Sequence, residues 1–201
     1  MLINEKSFSA MKNKINQIAS VPDEQINAIL PLVSRALYKK EEYFSKAGDC
    51  PTHIGYIVNG LFRLFYIDIK GREYTKYFNT QNSLVVVYNS ILIDQPSNLY
   101  IQALEDSEVL LINYKEWLNF AEPHICWQIF FRKFAEQAYL EKEKRESDLL
   151  CYDAETRYRN FQKDFPGLDK EIKQHHIASF LGMSPETLSR VKKRKNLYAP
   201  G

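Results

Sequence analysis

The stretch Leu181–Lys195, LGMSPETLSRVKKRK, combines a glycine, a helix start and a dense basic run. An arginine such as Arg190 can bind guanine O6 and N7 in a bidentate manner, and a glutamate such as Glu186 can accept a hydrogen bond from cytosine N4. Because the two lie four residues apart, Glu186 can also orient the guanidinium on a helix. The lysines and arginines that follow can neutralise phosphates and release counterions. The stretch therefore predicts contact with double-stranded DNA.

Two helices must position these side chains. We expect Gly182 to end the first in a left-handed conformation, Ser184 to cap the second, and Pro185 to occupy its first turn. A helix, a short turn with glycine and a second helix form a helix-turn-helix. Two packing helices with a solvated basic tail would explain the basic run alone, but not the capped turn beside it. The predicted DNA-binding residues are Gln174, His175, Ser184, Pro185, Glu186, Thr187, Ser189, Arg190, Lys192, Lys193 and Arg194.

The distribution of charge agrees with a basic C-terminal surface. Residues 1–150 carry 17 Lys/Arg against 19 Asp/Glu, whereas residues 151–201 carry 10 against 6. The cysteines, Cys50, Cys126 and Cys151, are too scattered for a zinc site or a four-thiolate cluster, and their odd number fits a reducing compartment. We find no signal peptide and no apolar run of 18 residues, so we expect a cytoplasmic protein without a membrane span.

The middle of the chain has the composition and the turn spacing of a β protein. From Tyr38 to about Asn113 it is rich in Tyr, Phe, Val and Ile, with a turn signal every eight to twelve residues. This pattern predicts a barrel, roll or jelly roll. Residues 7–36 before it, including Val33, are predicted to form short helices. The predicted β features are a turn at 46–49, hairpin turns at Asn59-Gly60 and Lys70-Gly71, and strands at 83–88, 99–104 and 108–113.

An aromatic stripe follows Pro123. Trp127, Phe131, Phe134 and Ala138 step by four, three and four residues, which is a heptad-like spacing. A helix of some twenty-five residues would be about 40 Å long, more than a small domain needs. We therefore predict a linker helix that also meets a partner, although such a stripe can instead pack on the chain's own β region. A further helix is predicted at 153–167.

These motifs resemble the Crp/Fnr family of bacterial transcription regulators. ASFLGMSPETLSRVKKR resembles the family's helix-turn-helix, and residues 44–78 and 96–112 are similar to the opening and closing strands of its cyclic-nucleotide-binding-like β-roll. The resemblance implies base-reading roles for Glu186 and Arg190, while Pro185 stands where some members carry another arginine. It implies an α+β fold with N-terminal helices and a double-stranded β-helix, or jelly-roll, at 1–116, a long dimerisation helix at 117–150, and a helix-turn-helix domain at 151–201.

The resemblance also allows a comparison of ligand positions. Members that bind cyclic AMP carry a Gly-Glu pair and, about ten residues later, an Arg-Ser pair, where this chain has Val86-Val87 and Ser97-Asn98. A cyclic nucleotide would be buried there without a charge partner, so we expect no cyclic AMP binding of the family's kind. No cofactor is identified. Either an unidentified effector binds, or side chains fill the pocket; the candidate lining residues are Val86, Val87, Tyr88, Ser97, Asn98 and Tyr100.

We thus predict a homodimeric, sequence-specific DNA-binding regulator rather than an enzyme. A metal-dependent cupin would need clustered histidines, and His53 is the only histidine of the β region. The predicted partners are a palindromic DNA operator, a second copy of the chain, RNA polymerase and an unidentified small effector. The alternative is a β-roll module that senses a ligand and signals through a protein partner without binding DNA.

Overall fold

The structure, a computed structural model, describes the backbone of residues 4–197 and the side chains of residues 4–194. The chain forms two compact units. The larger, called the β-roll unit, runs from the N-terminus to Phe65 and from Tyr77 to Gln137. The smaller, called the C-terminal unit, comprises Tyr66–Lys76 and the residues from Ala138 onward. The mixed α+β class that the sequence predicts is confirmed.

The helices and strands follow one another along the chain in the predicted order: N-terminal helices, a β region, a long helix and C-terminal helices. The helices are α1 (Glu5–Ile18), α2 (Asp23–Ala28), α3 (Tyr88–Ile93), α4 (Tyr114–Ala121), α5 (Ile125–Cys151), α6 (Ala154–Asp164), α7 (Leu168–Glu171), α8 (Gln174–Phe180) and α9 (Pro185–Leu197). The strands are β1 (Val33–Tyr38), β2 (Tyr43–Ser45), β3 (His53–Asn59), β4 (Phe62–Ile67), β5 (Glu73–Asn79), β6 (Leu84–Val85), β7 (Tyr100–Ala103) and β8 (Ser107–Asn113).

Two four-stranded sheets form the β-roll. Their strand orders are β1-β8-β3-β6 and β2-β7-β4-β5, so neighbours in each sheet come from distant parts of the chain. Phe62 pairs with Ala103 and Leu64 with Ile101, which places these four side chains on one face of their sheet. This face is the interior of the roll, where Phe62, Ile101 and Ala103 are fully buried. The predicted jelly-roll is therefore confirmed.

The Asn59-Gly60 hairpin is the main error of the sequence-based prediction. Strand β3 ends at Asn59 and pairs with β8 and β6, whereas β4 belongs to the other sheet. The chain thus crosses between sheets at Gly60, which has a φ of +117° and passes so close to Ser107 that a Cβ would lie 2.1 Å from its Oγ. Glycine serves here for close approach, not for a two-residue turn. The turn at Lys70-Gly71 does connect the neighbouring strands β4 and β5.

Two other boundaries differ from prediction. Val33, which was assigned to a helix, begins β1 because it pairs with Ile112 of β8. The strand predicted at 83–88 is reduced to Leu84–Val85, since only these residues pair with β3, and the chain then turns into α3. The strands predicted at 99–104 and 108–113 correspond to β7 and β8.

The β-roll unit has a second apolar core outside the roll. Helix α1 contributes Met11 and Ile15, the sheet β1-β8-β3-β6 contributes Tyr56 and Leu110 from its outer face, and the helices α4 and α5 contribute tryptophans. Trp117 and Trp127 meet edge to face with ring centroids 6.0 Å apart. These contacts bury the apolar faces of the N-terminal helices, which are too short to be stable alone.

The long helix and the C-terminal helices follow the predicted order. Helix α5 has 27 residues and is therefore about 40 Å long. Asp153 caps α6 by accepting a hydrogen bond from the N–H of Thr156 at 2.8 Å. In the C-terminal unit, Phe161, Ile177 and Leu188 are fully buried and join α6, α8 and α9 around one small core.

Candidate nucleic-acid interface

The turn between α8 and α9 has the predicted capping chemistry. Gly182 adopts a φ of +62° and donates to the carbonyl of Ser179 at 3.2 Å, while Met183 donates to Ala178 at 3.0 Å. These two bonds form a Schellman motif, which satisfies the last carbonyls of α8. The Ser184 hydroxyl then accepts from the N–H of Thr187 at 3.2 Å and caps α9. The local sequence therefore fixes the angle at which α9 leaves the turn.

Helix α9 has one buried face and one polar face. Leu188 is fully buried and Val191 is 8% exposed, so their face packs against the rest of the C-terminal unit. The residues between them point outward because of the 3.6-residue period. The predicted DNA-binding residues that the structure leaves exposed are Gln174, His175, Ser184, Pro185, Glu186, Ser189, Arg190, Lys193 and Arg194, and Thr187 is half-buried.

Arg190 is held by a neighbour other than the expected one. Its Nη2 donates to the Thr187 hydroxyl at 3.1 Å, although the sequence predicted that Glu186 would orient the guanidinium. The three-residue spacing brings Thr187 within reach on the same helical face. A hydrogen bond from Ser184, the backbone N–H of Glu186 itself and the charge of Arg190 hold the pKa of Glu186 below its ordinary value. Glu186 is therefore an ionised acceptor at neutral pH.

Lys192 belongs to an internal network instead of the outward face. Its Nζ lies 2.7 Å from Oε1 of Gln174 and 3.4 Å from the carbonyl oxygen of Asp169. It also lies 3.9 Å from the Asp169 carboxylate and 5.6 Å from the ring centroid of Tyr158. Gln174 in turn donates to the Asp169 carbonyl at 3.1 Å. These contacts tie α9 to the start of α8, so two residues predicted to contact DNA support each other.

Asp169 is the centre of this network, and the sequence analysis did not identify it. The Tyr158 hydroxyl donates to its carboxylate at 2.6 Å and Gln162 donates at 3.2 Å. Burial and the Asp169 charge raise the pKa of Tyr158 strongly. Burial alone would raise the pKa of Asp169, but the bonds from Tyr158 and Gln162 and the Lys192 charge hold it below its ordinary value. The pair therefore stays as a neutral phenol and a carboxylate at neutral pH.

A second unexpected contact joins α8 to the tip of the β4–β5 hairpin within the C-terminal unit. The Ser179 hydroxyl accepts from the N–H of Thr75 at 2.8 Å and donates to the carbonyl of Glu73 at 3.1 Å. Arg145 of α5 donates to the carbonyls of Thr75 at 3.0 Å and Phe180 at 2.9 Å. The partners are 35 to 106 residues apart, and no sequence motif marks them.

The two adjacent histidines differ in environment. His175 is exposed, whereas His176 is only 8% exposed, and their rings lie 4.1 Å apart. Among the described residues, no group of three or more His, Cys, Asp or Glu is arranged to hold a metal ion. His175 is therefore available at the polar surface near α9, as the sequence predicts for one of the pair.

The predicted ligand residues of the β-roll do not converge on one space. Val87 is 3% exposed, and the Ser97 hydroxyl accepts from the backbone N–H of Leu99 at 2.9 Å. Tyr100 stacks on Phe65 with ring centroids 5.2 Å apart, on the sheet face opposite the interior. Val86 is half-buried and Asn98 is exposed.

Tyr88 leaves the roll altogether. It begins α3 and contacts Phe131 and Phe134 of α5, with centroids 6.4 and 6.3 Å away. The interior itself is closely filled near Gly55, where a Cβ would lie 2.7 Å from Cγ1 of both Val85 and Val109. Even one methyl group would require movement at this point of the interior.

The predicted dimer stripe is largely covered by the chain's own side chains. Trp127 is 1% exposed, and Phe131 and Phe134 are half-buried against neighbouring rings, so only Ala138 of the four is exposed. Other apolar residues of α5 are open, however, including Ile125 at 68% and Ile129 at 38%. None of the described helices has the length and apolar character that a membrane crossing needs.

Comparisons with known proteins agree with this architecture. Residues 35–124 match the family model of the cyclic nucleotide-binding domain. FixK2 from Bradyrhizobium japonicum superposes with a TM-score of 0.69 at 19% identity, over 82% of this chain and 85% of FixK2. The c-di-GMP-responsive global regulator CLP from Xanthomonas campestris superposes with a TM-score of 0.69 at 16% identity, over 90% of this chain and 96% of CLP.

A third solved structure, the catabolite activator protein of Thermus thermophilus, has a TM-score of 0.55 at 22% identity, over 90% of this chain and 88% of that protein. At these identities the likeness establishes the fold. It confirms the resemblance to Crp/Fnr regulators that the sequence indicated. No protein of curated function matches the chain by sequence.

Proposed function

We propose that this protein is a sequence-specific DNA-binding regulator of transcription of the Crp/Fnr type. The observation that carries the proposal is the outward face of α9, where Glu186, Arg190 and Lys193 are exposed while Leu188 is fully buried. In a helix-turn-helix the second helix enters the major groove and its N-terminal residues meet base edges. Arg190 then reads a guanine, and Lys193 contacts a phosphate.

We also propose that the active form is a homodimer joined along α5. Exposed apolar side chains on a long helix favour burial against a second copy, and Ile125, Ile129, Tyr139 and Leu140 are such side chains. A two-fold dimer presents two recognition helices about 34 Å apart, which matches one turn of DNA. The proposed operator is therefore a palindrome.

Cyclic AMP is not the proposed effector. The positions at which relatives hold the nucleotide carry Val86, Val87, Ser97 and Asn98, so neither a carboxylate nor a cation is available there. Titration calorimetry with cyclic AMP is expected to give no saturable heat, and a micromolar dissociation constant would overturn this part of the proposal.

The test of the main proposal is selection of bound sites from random duplex DNA. We expect enrichment of a palindrome whose half-sites lie about 10 base pairs apart. Enrichment of a single half-site would contradict the dimer but keep the DNA-binding proposal. Absence of any retained DNA would instead favour a β-roll module that signals through a protein partner.

A further inference from the structure

A cavity lies on the outer side of the β-roll, against the sheet face that points away from the interior. It is bounded by α1, by the outer face of the sheet β1-β8-β3-β6, and by α4 and α5. Its free volume is about 60 Å³, and it is partly open to solvent. All of its wall residues belong to the β-roll unit.

The wall of the cavity is almost entirely hydrocarbon. Among its residues are Met11, Ile15, Val33, Leu84 and Ile112, and it contains no charged side chain. The hydroxyl of the wall residue Tyr56 is already bonded to Asn82 at 2.7 Å. A buried water needs two to four polar partners, so this space does not hold water well. An apolar group would gain contacts that water cannot make.

The size of the cavity limits what can enter. One water-sized group needs roughly 10–15 Å³ of such volume, so the space holds about four to six groups of this size. That corresponds to one six-membered ring or a short branched chain. A nucleotide or a long lipid would not fit, and a charged group would lose its hydration without compensation.

One of the wall residues, Trp127, also carries an unused polar atom. The indole N–H of Trp127 is buried and has no hydrogen-bond acceptor in the part of the chain that the structure describes. An unpaired buried donor costs free energy, so the packing around Trp127 is not at its most stable. We propose that this cavity binds an uncharged, ring-sized apolar molecule, such as a benzene derivative.

The position of the cavity gives its occupant a route to α5. Phe131 and Phe134 of α5 line it, and the ring centroid of Phe131 lies 4.0 Å from that of Trp117, another wall residue. A bound ring would contact both phenylalanines. If α5 is the dimer helix of the proposed function, on which this consequence rests, occupancy alters the packing of that helix and so the DNA affinity. The binding itself does not depend on that function.

Intrinsic fluorescence provides a direct test, because the two tryptophans of the chain both line the cavity. The probe is bromobenzene, whose heavy atom quenches indole emission on contact. We expect quenching that reaches a plateau, whereas free N-acetyltryptophanamide shows only a collisional, non-saturating loss. Non-saturating quenching of the protein would overturn the proposal. The measurement contains no DNA, so its failure is separate from any failure of DNA binding.

Two variants of β1 locate the site. Val33 lines the cavity, whereas Leu37 on the same strand is 57% exposed and lies outside it. We expect Val33→Phe to abolish the plateau and Leu37→Phe to retain it. Equal plateaus in both variants would overturn the assignment. Should Val33→Phe not fold, Phe134→Ala widens the cavity and is expected to admit 1-bromonaphthalene, and exclusion of that probe would count against the proposal.

The cavity mouth could alternatively be closed by a second copy of the chain. Plateau quenching that disappears as protein concentration rises and the chain dimerises would show this, and would overturn a ligand role in the dimer. We expect plateau quenching to persist in both dilute and concentrated protein.

Discussion

Two neighbouring lysines on α9 allow a sharp test of the DNA-binding geometry. Lys193 is exposed, whereas Lys192 is tied to Gln174 and Asp169. Replacing each by methionine keeps a long side chain and removes the charge. Because only an outward lysine can neutralise a phosphate, the two variants should differ in the salt dependence of DNA binding.

The magnitudes follow from the contacts. Loss of one phosphate contact lowers the salt slope by about 0.9, so Lys193→Met should lower it by about 1.8 in a dimer. Lys192→Met should leave the slope unchanged but reduce the free energy of unfolding by about 1 kcal/mol, less than a fully buried charged hydrogen bond contributes. The expected loss is smaller because the Lys192 side chain is 27% exposed, so solvent screens its charge.

Fluorescence anisotropy with a labelled duplex at several salt concentrations gives the slopes, and urea unfolding gives the stabilities. If the salt slope falls by the same amount in both variants, Lys192 leaves its network to bind DNA, and the proposed role of that network is wrong. If the salt slope is unchanged in both variants, α9 does not approach the phosphates as proposed.

Two further predictions concern the units separately. Gly60→Ala should destabilise the β-roll by roughly 3 kcal/mol, because the new Cβ would lie 2.8 Å from the backbone Cα of Ser107. Gly71→Ala is the control: its Cβ would meet open space, so it should reduce the free energy of unfolding by only about 1 kcal/mol. Equal losses in urea unfolding would contradict this difference. Because the pKa of Tyr158 is raised in the folded protein, its protonated hydroxyl contributes fully to the free energy of unfolding below about pH 10, and this contribution is lost as the pH rises further. In Tyr158→Phe the free energy of unfolding should therefore fall less steeply at alkaline pH. An unchanged pH profile would show that the bond from Tyr158 to Asp169 does not cause the alkaline loss.

Features that depend on near neighbours were predictable from the sequence. Gly182 and Ser184 act on backbone groups within five residues of themselves, so their residue types alone indicated the turn of the helix-turn-helix. The polar face of α9 followed from helical periodicity in the same way. The order of helices, β-roll, long helix and C-terminal helices was also correct, because each has a different pattern of apolar residues.

Features that depend on distant partners were not predictable. Asn59-Gly60 has the composition of a hairpin turn, but the strands on either side bond to β8 and β7, whose paired residues lie 35 to 60 positions away along the chain. Likewise, the sequence could not identify Asp169 as the partner that holds Lys192 within the C-terminal unit. The aromatic stripe of α5 was identified correctly as a stripe, but its first residue, Trp127, packs within the β-roll unit.

The central claim is that the outward face of α9 reads DNA bases. The most direct measurement is the affinity of wild type and Arg190→Ala for the selected palindrome and for its single-base variants. We predict that wild type loses about 1–3 kcal/mol at one position of each half-site, whereas Arg190→Ala no longer distinguishes bases at that position but keeps its preferences elsewhere. Unchanged discrimination at every position in Arg190→Ala would contradict the claim.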